Sequence, residues 1–122
     1  MKDVIHRIGL WCYGIAFLAL TSPNAWAVQY CSGTLVSVYM DASGNVIVQG
    51  SWRYDYTQLC SDQGSFGGID SVTCLAWFGA AVKAQGSQSK VIVYYPNDGG
   101  STCANLPTYS NSLVPGYFMV TQ

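Results

Sequence analysis

Glutamate is absent from this sequence, histidine occurs once, and only 9% of the residues are charged. The single histidine, His6, lies in a leader-like first segment. Lys2 and Arg7 precede the uncharged run Ile8 to Leu20, and Pro23 is followed by small residues at Ala25 and Ala27. That order is the pattern of a secretory signal peptide over residues 1–27, cut after Ala27. The run is too short to cross a bilayer, which takes about 20 apolar residues. No lipid-attachment pattern precedes Cys31, so no membrane span is expected after processing. The Ala-x-Ala end makes the periplasm the expected destination.

What the remainder lacks narrows its chemistry. From Val28 to Gln122 there is no His and no Glu, and five aspartates face three basic residues, Arg53, Lys83 and Lys90. Clustered Lys and Arg, which nucleic-acid binding needs to displace counterions from phosphates, are missing. Without His or free thiols there is no proton-transfer partner for a nucleophile and no soft ligand set for zinc. Paired aspartates are the one hydrolytic option left. Asp41, Asp70 and Asp98, however, sit where turns or a helix start use carboxylates for backbone hydrogen bonds, which leaves Asp55 and Asp62 without a local task. The expectation is therefore a protein that is not an enzyme and carries no cofactor and no metal.

Four cysteines remain, Cys31, Cys60, Cys74 and Cys103. An even set in an exported chain of this size reads as two disulfides that supplement a thin core. Of the three possible pairings, loop proximity favours Cys60 with Cys74 and, by difference, Cys31 with Cys103. Each bridge contributes about 2–4 kcal/mol.

Period-two patterning begins near Gly33, with Val36, Val38 and Met40 on one face and Leu35, Ser37 and Tyr39 on the other. Asp41 to Asn45 forms a turn, Val46 to Gln49 a second strand, and Ser51 to Leu59 a third that places Trp52, Tyr54 and Tyr56 on one face. A glycine-bearing loop leads to a helix capped by Asp70 or Ser71, with Leu75, Phe78 and Val82 as its apolar stripe and Gly86 as its stop. Lys90 to Tyr95 and Gly116 to Thr121 are the last strands, separated by a loop pinned at Cys103. A single mainly β (α+β) domain over 28–122 follows, in the order β-β-β-α-β-β, as a small OB-like barrel or a curved antiparallel sheet.

Aromatic residues are the conspicuous surplus. Eight of the nine tyrosines lie between Val28 and Gln122, together with Trp52 and Trp77, too many for one short helix to cover. Exposed aromatics in a chain of low charge favour a partner surface. The densest run, Trp52, Arg53, Tyr54, Asp55 and Tyr56, is the expected partner-binding site, with the aromatic members as its principal anchors.

The start Tyr30-Cys31-Ser-Gly33, the segment Cys60-Ser-Asp62, the helix start Cys74-Leu-Ala-Trp77 and the tail Pro115-Gly-Tyr-Phe118, taken with length and leader, resemble the small periplasmic immunity proteins of type VI secretion systems. The resemblance is to those paired with a peptidoglycan-degrading spike effector. It implies a tight stoichiometric inhibitor, one that admits a homodimer and fills the glycan cleft of a lysozyme-like toxin. The strand order is also similar to the glycan-binding B subunits of AB5-type toxins, which would imply aromatics stacked on sugars and a pentamer.

Overall fold

In the computed structural model, residues 27–122 are described. The signal peptide read over residues 1–27 lies, apart from Ala27, outside them. Six strands, β1 (Gln29–Gly33), β2 (Leu35–Met40), β3 (Asn45–Gly50), β4 (Tyr56–Ser61), β5 (Val91–Tyr95) and β6 (Tyr117–Val120), surround one helix, α1 (Ser71–Ser87). They form two antiparallel three-stranded sheets, in the orders β1-β5-β6 and β2-β3-β4. The described residues make no closed barrel, so of the two architectures expected it is the strongly bent antiparallel sheet that is realised.

The bend has a local cause. β1 and β2 are one run of chain interrupted only by Thr34, yet they pair in different sheets. Gly33 has φ +159°, which is ordinary extended backbone. What matters there is space, because a Cβ on Gly33 would collide with Ser51 and crowd the indole of Trp52. Ser51 Oγ accepts from the Thr34 amide and the Ser51 amide donates to the Thr34 carbonyl, so the bend is fastened on both sides.

The register also corrects the face assigned to β2. The ladder to β3 shifts between Leu35 and Ser37, a bulge that inserts one residue and changes the side-chain phase. Leu35 is therefore buried, Val38 and Met40 pack on the core, and Val36 is exposed. The expected β2–β3 turn is present. Asp41 Oδ1 accepts from the amides of Ser43 and Asn45, and Gly44 has φ +81°, a conformation that a Cβ disfavours.

The third expected strand starts late. Residues 51–55 are a turn, with the Arg53 and Tyr54 amides both donating to the Gly50 carbonyl, and pairing resumes only at Tyr56. Trp52, Tyr54 and Tyr56 therefore do not share a strand face. The indole of Trp52 lies over Gly50, where a Cβ would overlap its six-membered ring. Close backbone approach by the indole, rather than strand pairing, decides the local structure.

Asp70 caps α1 as expected, accepting from the Thr73 amide at 2.7 Å. These hydrogen bonds hold the Asp70 carboxyl below its ordinary range. The helix continues past Gly86 and ends at Gln88, whose left-handed conformation and amide close the last turn onto Ala84 and Gln85. Its buried stripe is Cys74, Ala81 and Ala84, with Trp77 and Phe78 alongside, whereas Leu75 and Val82 face outward. Cys74 sets this rotation, because its disulfide to Cys60 anchors one face of α1 to β4. The second bridge joins Cys31 of β1 to Cys103, at the start of a 3-10 turn over Cys103–Asn105. Both expected pairings are present. They are consistent with an oxidising, extracytoplasmic compartment. No helix among the described residues is long and apolar enough to cross a membrane.

The core lies between the two sheets and α1. It contains Leu35, Val46, Val48, Leu59, Val91, Val93, Leu106 and Phe118 together with three of the bridge sulfurs. Tyr95 is also inside, 1% exposed, with its hydroxyl lacking a hydrogen bond. Burial pushes that phenol well above its ordinary range, and the nearby Thr57 hydroxyl only partly offsets the effect.

Candidate functional site

The five residues expected to bind a partner divide into three roles. Trp52 is a packing residue. It is half-buried, touches the core and leaves its indole N–H buried without a partner. Arg53 and Asp55 are brackets. Arg53 Nε donates to the Leu106 carbonyl at 3.1 Å, its Nη2 lies 3.7 Å from the Asp55 carboxylate, and Asp55 also accepts from the Tyr56 amide. An ion pair this exposed adds little stability by itself. Its effect is positional, because Arg53 ties the 51–55 turn to the 106–112 loop.

Tyr54 and Tyr56 are what this bracket presents. Tyr54 is 70% exposed and has φ +52°. Left-handed backbone costs a residue with a Cβ about 1–2 kcal/mol. The turn holds it there through the Gly50 carbonyl, and Gln49 donates to the Tyr54 carbonyl at 3.3 Å. Tyr56, on β4, stacks against Tyr109 with ring centroids 5.8 Å apart and meets the edge of Tyr39 at 5.9 Å.

Tyr109 repeats the device. It too has a left-handed backbone, φ +51°, and its ring is exposed. Two hydrogen bonds seat its loop on the outer edge of β4, and a third closes the loop on itself. The Tyr109 amide donates to the Tyr56 carbonyl, the Gln58 amide donates to Ser112 Oγ, and Ser112 Oγ donates to the Pro107 carbonyl. Leu106, fully buried, anchors the loop in the core. A covered strand edge and an outward-held tyrosine thus come from the same segment.

The result is a surface group of three tyrosines in ring contact, Tyr39, Tyr56 and Tyr109, contributed by β2, β4 and the 106–112 loop, with Tyr54 held exposed on the 51–55 turn that leads into β4. Tyr39 shows their mutual influence. Partial desolvation, then the neighbouring Tyr109, Tyr56 and Asp41, raise its phenol above the ordinary value. Chemically the group offers flat apolar faces tipped with hydroxyls, the combination favoured at interface centres. Among the described residues no three His, Cys, Asp or Glu side chains come together as a metal-binding group.

Of these tyrosines the sequence pattern singles out Tyr54 and Tyr56 as expected binding residues, and it does not single out Tyr39 or Tyr109. Tyr109 stands 53 positions from Tyr56 in the sequence, and its only local signal is an aromatic in a polar, proline-bearing loop. Tyr39 reads as one more alternating strand residue. Elsewhere, a second aromatic array crosses the outer face of the β1-β5-β6 sheet, where Tyr94 stacks on Tyr30 at 5.0 Å and on Tyr117 at 4.9 Å. A shallow cleft of about 480 Å3 lies beyond it, lined by Gly67, Pro96, Leu113, Val114 and Pro115 among others, with no titratable side chain in its wall.

Comparison of the chain with protein-family models, with curated proteins and with solved structures returns no match.

Proposed function

We propose that the chain is a periplasmic immunity protein that binds and neutralises a peptidoglycan-hydrolysing type VI secretion effector, so protecting the producing cell and its siblings. The observation that carries this reading is the paired left-handed backbone at Tyr54 and Tyr109. Backbone strain at residues with a Cβ persists where the surrounding structure enforces it, and it concentrates at functional positions. Of the three left-handed residues with a Cβ among the described residues, Gln88 closes α1, and the other two each hold an exposed tyrosine, Tyr109 within the ring cluster and Tyr54 on the turn before Tyr56.

The physical case is one of pre-organised recognition. A specific inhibitor interface buries on the order of 1,600 Å2 in total, and a few central aromatic or arginine anchors supply most of its affinity. Tyrosine loses little conformational freedom on binding, because only two side-chain torsions must be fixed. Two disulfides and the Arg53 bracket hold the turn and loop before the partner arrives, which lowers the ordering cost of association. Binding, not catalysis, is the proposed activity. The leader and the disulfides support export, and the resemblance given above supports the class of partner.

The test is co-production of the chain with a periplasm-directed effector of this class. Wild-type chain should restore growth. Tyr54→Ala combined with Tyr109→Ala should lose protection while keeping the wild-type circular dichroism spectrum. Full protection by that double variant would remove the tyrosine cluster from the account.

A further inference from the structure

A separate feature lies at the opposite end of the strand order. β6 terminates the β1-β5-β6 sheet, and nothing in its sequence guards it. Proteins protect open strand edges with charged side chains, proline, bulges or covering loops. Residues Tyr117–Val120 contain no charge and no proline, and Tyr117, Met119 and Val120 are exposed. By contrast, β4 has its outer edge covered by the Tyr109 loop, and β1 is flanked by the Cys103 turn.

Two details say what the edge would take. The Thr121 amide donates to the Lys90 carbonyl, which fixes the ladder phase. In an antiparallel pair alternate residues face the partner strand, so Phe118 and Val120 turn their amides and carbonyls away from β5. Between that edge and the C-terminal half of α1 runs a groove of about 230 Å3, lined by Ala80, Lys83, Ala84, Ser87, Ser89 and Val120. Apart from Lys83 and Val120 its walls are alanine and serine side chains. On the other face of the sheet the Tyr30–Tyr94–Tyr117 stack stops at Tyr117, beyond which the described residues place no further strand.

We propose that this edge is a peptide-binding groove that accepts an extended segment of a partner protein as a fourth strand of the sheet. The added backbone pairs with Phe118 and Val120. Its alternate side chains divide between the groove, which fits small apolar residues, and the Tyr117 face, which fits an aromatic ring as the next rung of the stack. Charge selects the end of the segment. Lys83 lines the groove. It makes no ion pair among the described residues, whose one salt bridge is Arg53 with Asp55. An acidic residue or a chain-terminal carboxylate therefore fits beside it. This site shares no residue with the surface of Tyr39, Tyr54, Tyr56 and Tyr109 and stands or falls independently of the immunity reading.

The experiment uses the processed chain and a synthetic heptapeptide alternating tyrosine and alanine with a C-terminal aspartate. Addition of this peptide should slow hydrogen exchange at the Phe118 and Val120 amides at least tenfold. The same peptide N-methylated at alternate backbone nitrogens should have no effect. Val120→Pro, which removes an outward-facing donor, and Ala80→Trp, which fills the groove without altering the backbone of β6, should each abolish the protection. Lys83→Gln should weaken it several-fold. Unchanged exchange at millimolar peptide would overturn the proposal. So would equal binding of the N-methylated peptide, or sedimentation showing the edge already occupied by a second copy of the chain.

Discussion

The two disulfides contribute unequally, and the bridge that contributes more to stability is also the more accessible to reduction. Cys31–Cys103 closes a separation of 72 residues, Cys60–Cys74 one of 14. Loop-closure entropy then assigns about 4 kcal/mol to the first bridge and about 3 kcal/mol to the second. Either is a large part of the roughly 5–15 kcal/mol that holds a domain folded. Thiolate attack, however, needs a reachable sulfur. Cys60 and Cys74 are both fully buried, whereas Cys103 is partly exposed, with Gln29 and the Tyr30 carbonyl as its polar neighbours. Under mild dithiothreitol at neutral pH, with alkylation and mass mapping at intervals, Cys31 and Cys103 should be labelled first. Urea titration of Cys31→Ala/Cys103→Ala should then show a loss of about 4 kcal/mol, larger than the loss of about 3 kcal/mol for Cys60→Ala/Cys74→Ala. Prior labelling of Cys60 and Cys74, or a loss below about 1 kcal/mol, would refute the reasoning.

Other perturbations separate packing from display. Trp52→Ala should cost about 2–4 kcal/mol in urea titration, because it empties the contact over Gly50. Tyr54→Gly should stay within about 1 kcal/mol of wild type, because relief of the left-handed backbone offsets the added freedom of the unfolded chain. Gly50→Ala should shift the tryptophan emission to longer wavelength by driving the indole of Trp52 out of its seat. Asp41 and Asp70 both have lowered folded-state values through hydrogen bonds, to Asn45 and Ser43 in one case and to Thr73 in the other. Their stabilisation is complete above the unfolded carboxylate range and is lost as pH falls through the folded values, so the acid limb of a melting-temperature profile should flatten in the Asp41→Ala/Asp70→Ala variant. Tyr95 behaves oppositely. Its raised phenol stabilises the fold below the unfolded value near 10 and ceases to do so as pH rises beyond it, so its ionisation should coincide with alkaline unfolding in an absorbance titration.

Much of the fold was legible where one local cause acts alone. The Asp41 turn and the Asp70 cap each follow from a few adjacent residues, while the pairing of Cys60 with Cys74 was favoured only because the two bracket one loop. Errors appeared where distant groups decide. The bulge at Leu35 reverses the face of Val36, and the indole of Trp52 makes a turn of residues that alternate like a strand. The Cys60–Cys74 bridge settles which side of an almost uniformly apolar helix is buried, against the stripe of Leu75 and Val82. For the candidate site, adjacency in the sequence singled out Tyr54 and Tyr56. Tyr39 and Tyr109 join them only through strand register and a loop anchored by Leu106, neither of which a local pattern encodes.

The central claim is that the tyrosine cluster occupies and blocks a peptidoglycan hydrolase. The direct measurement is clearing of purified peptidoglycan by the catalytic part of such a spike effector, titrated with processed wild-type chain and with the Tyr54→Ala/Tyr109→Ala variant. The expected result is stoichiometric loss of clearing with wild type and at least a hundredfold higher concentration for the folded variant. Undiminished clearing at excess wild-type chain, or equal inhibition by the variant, would contradict the account.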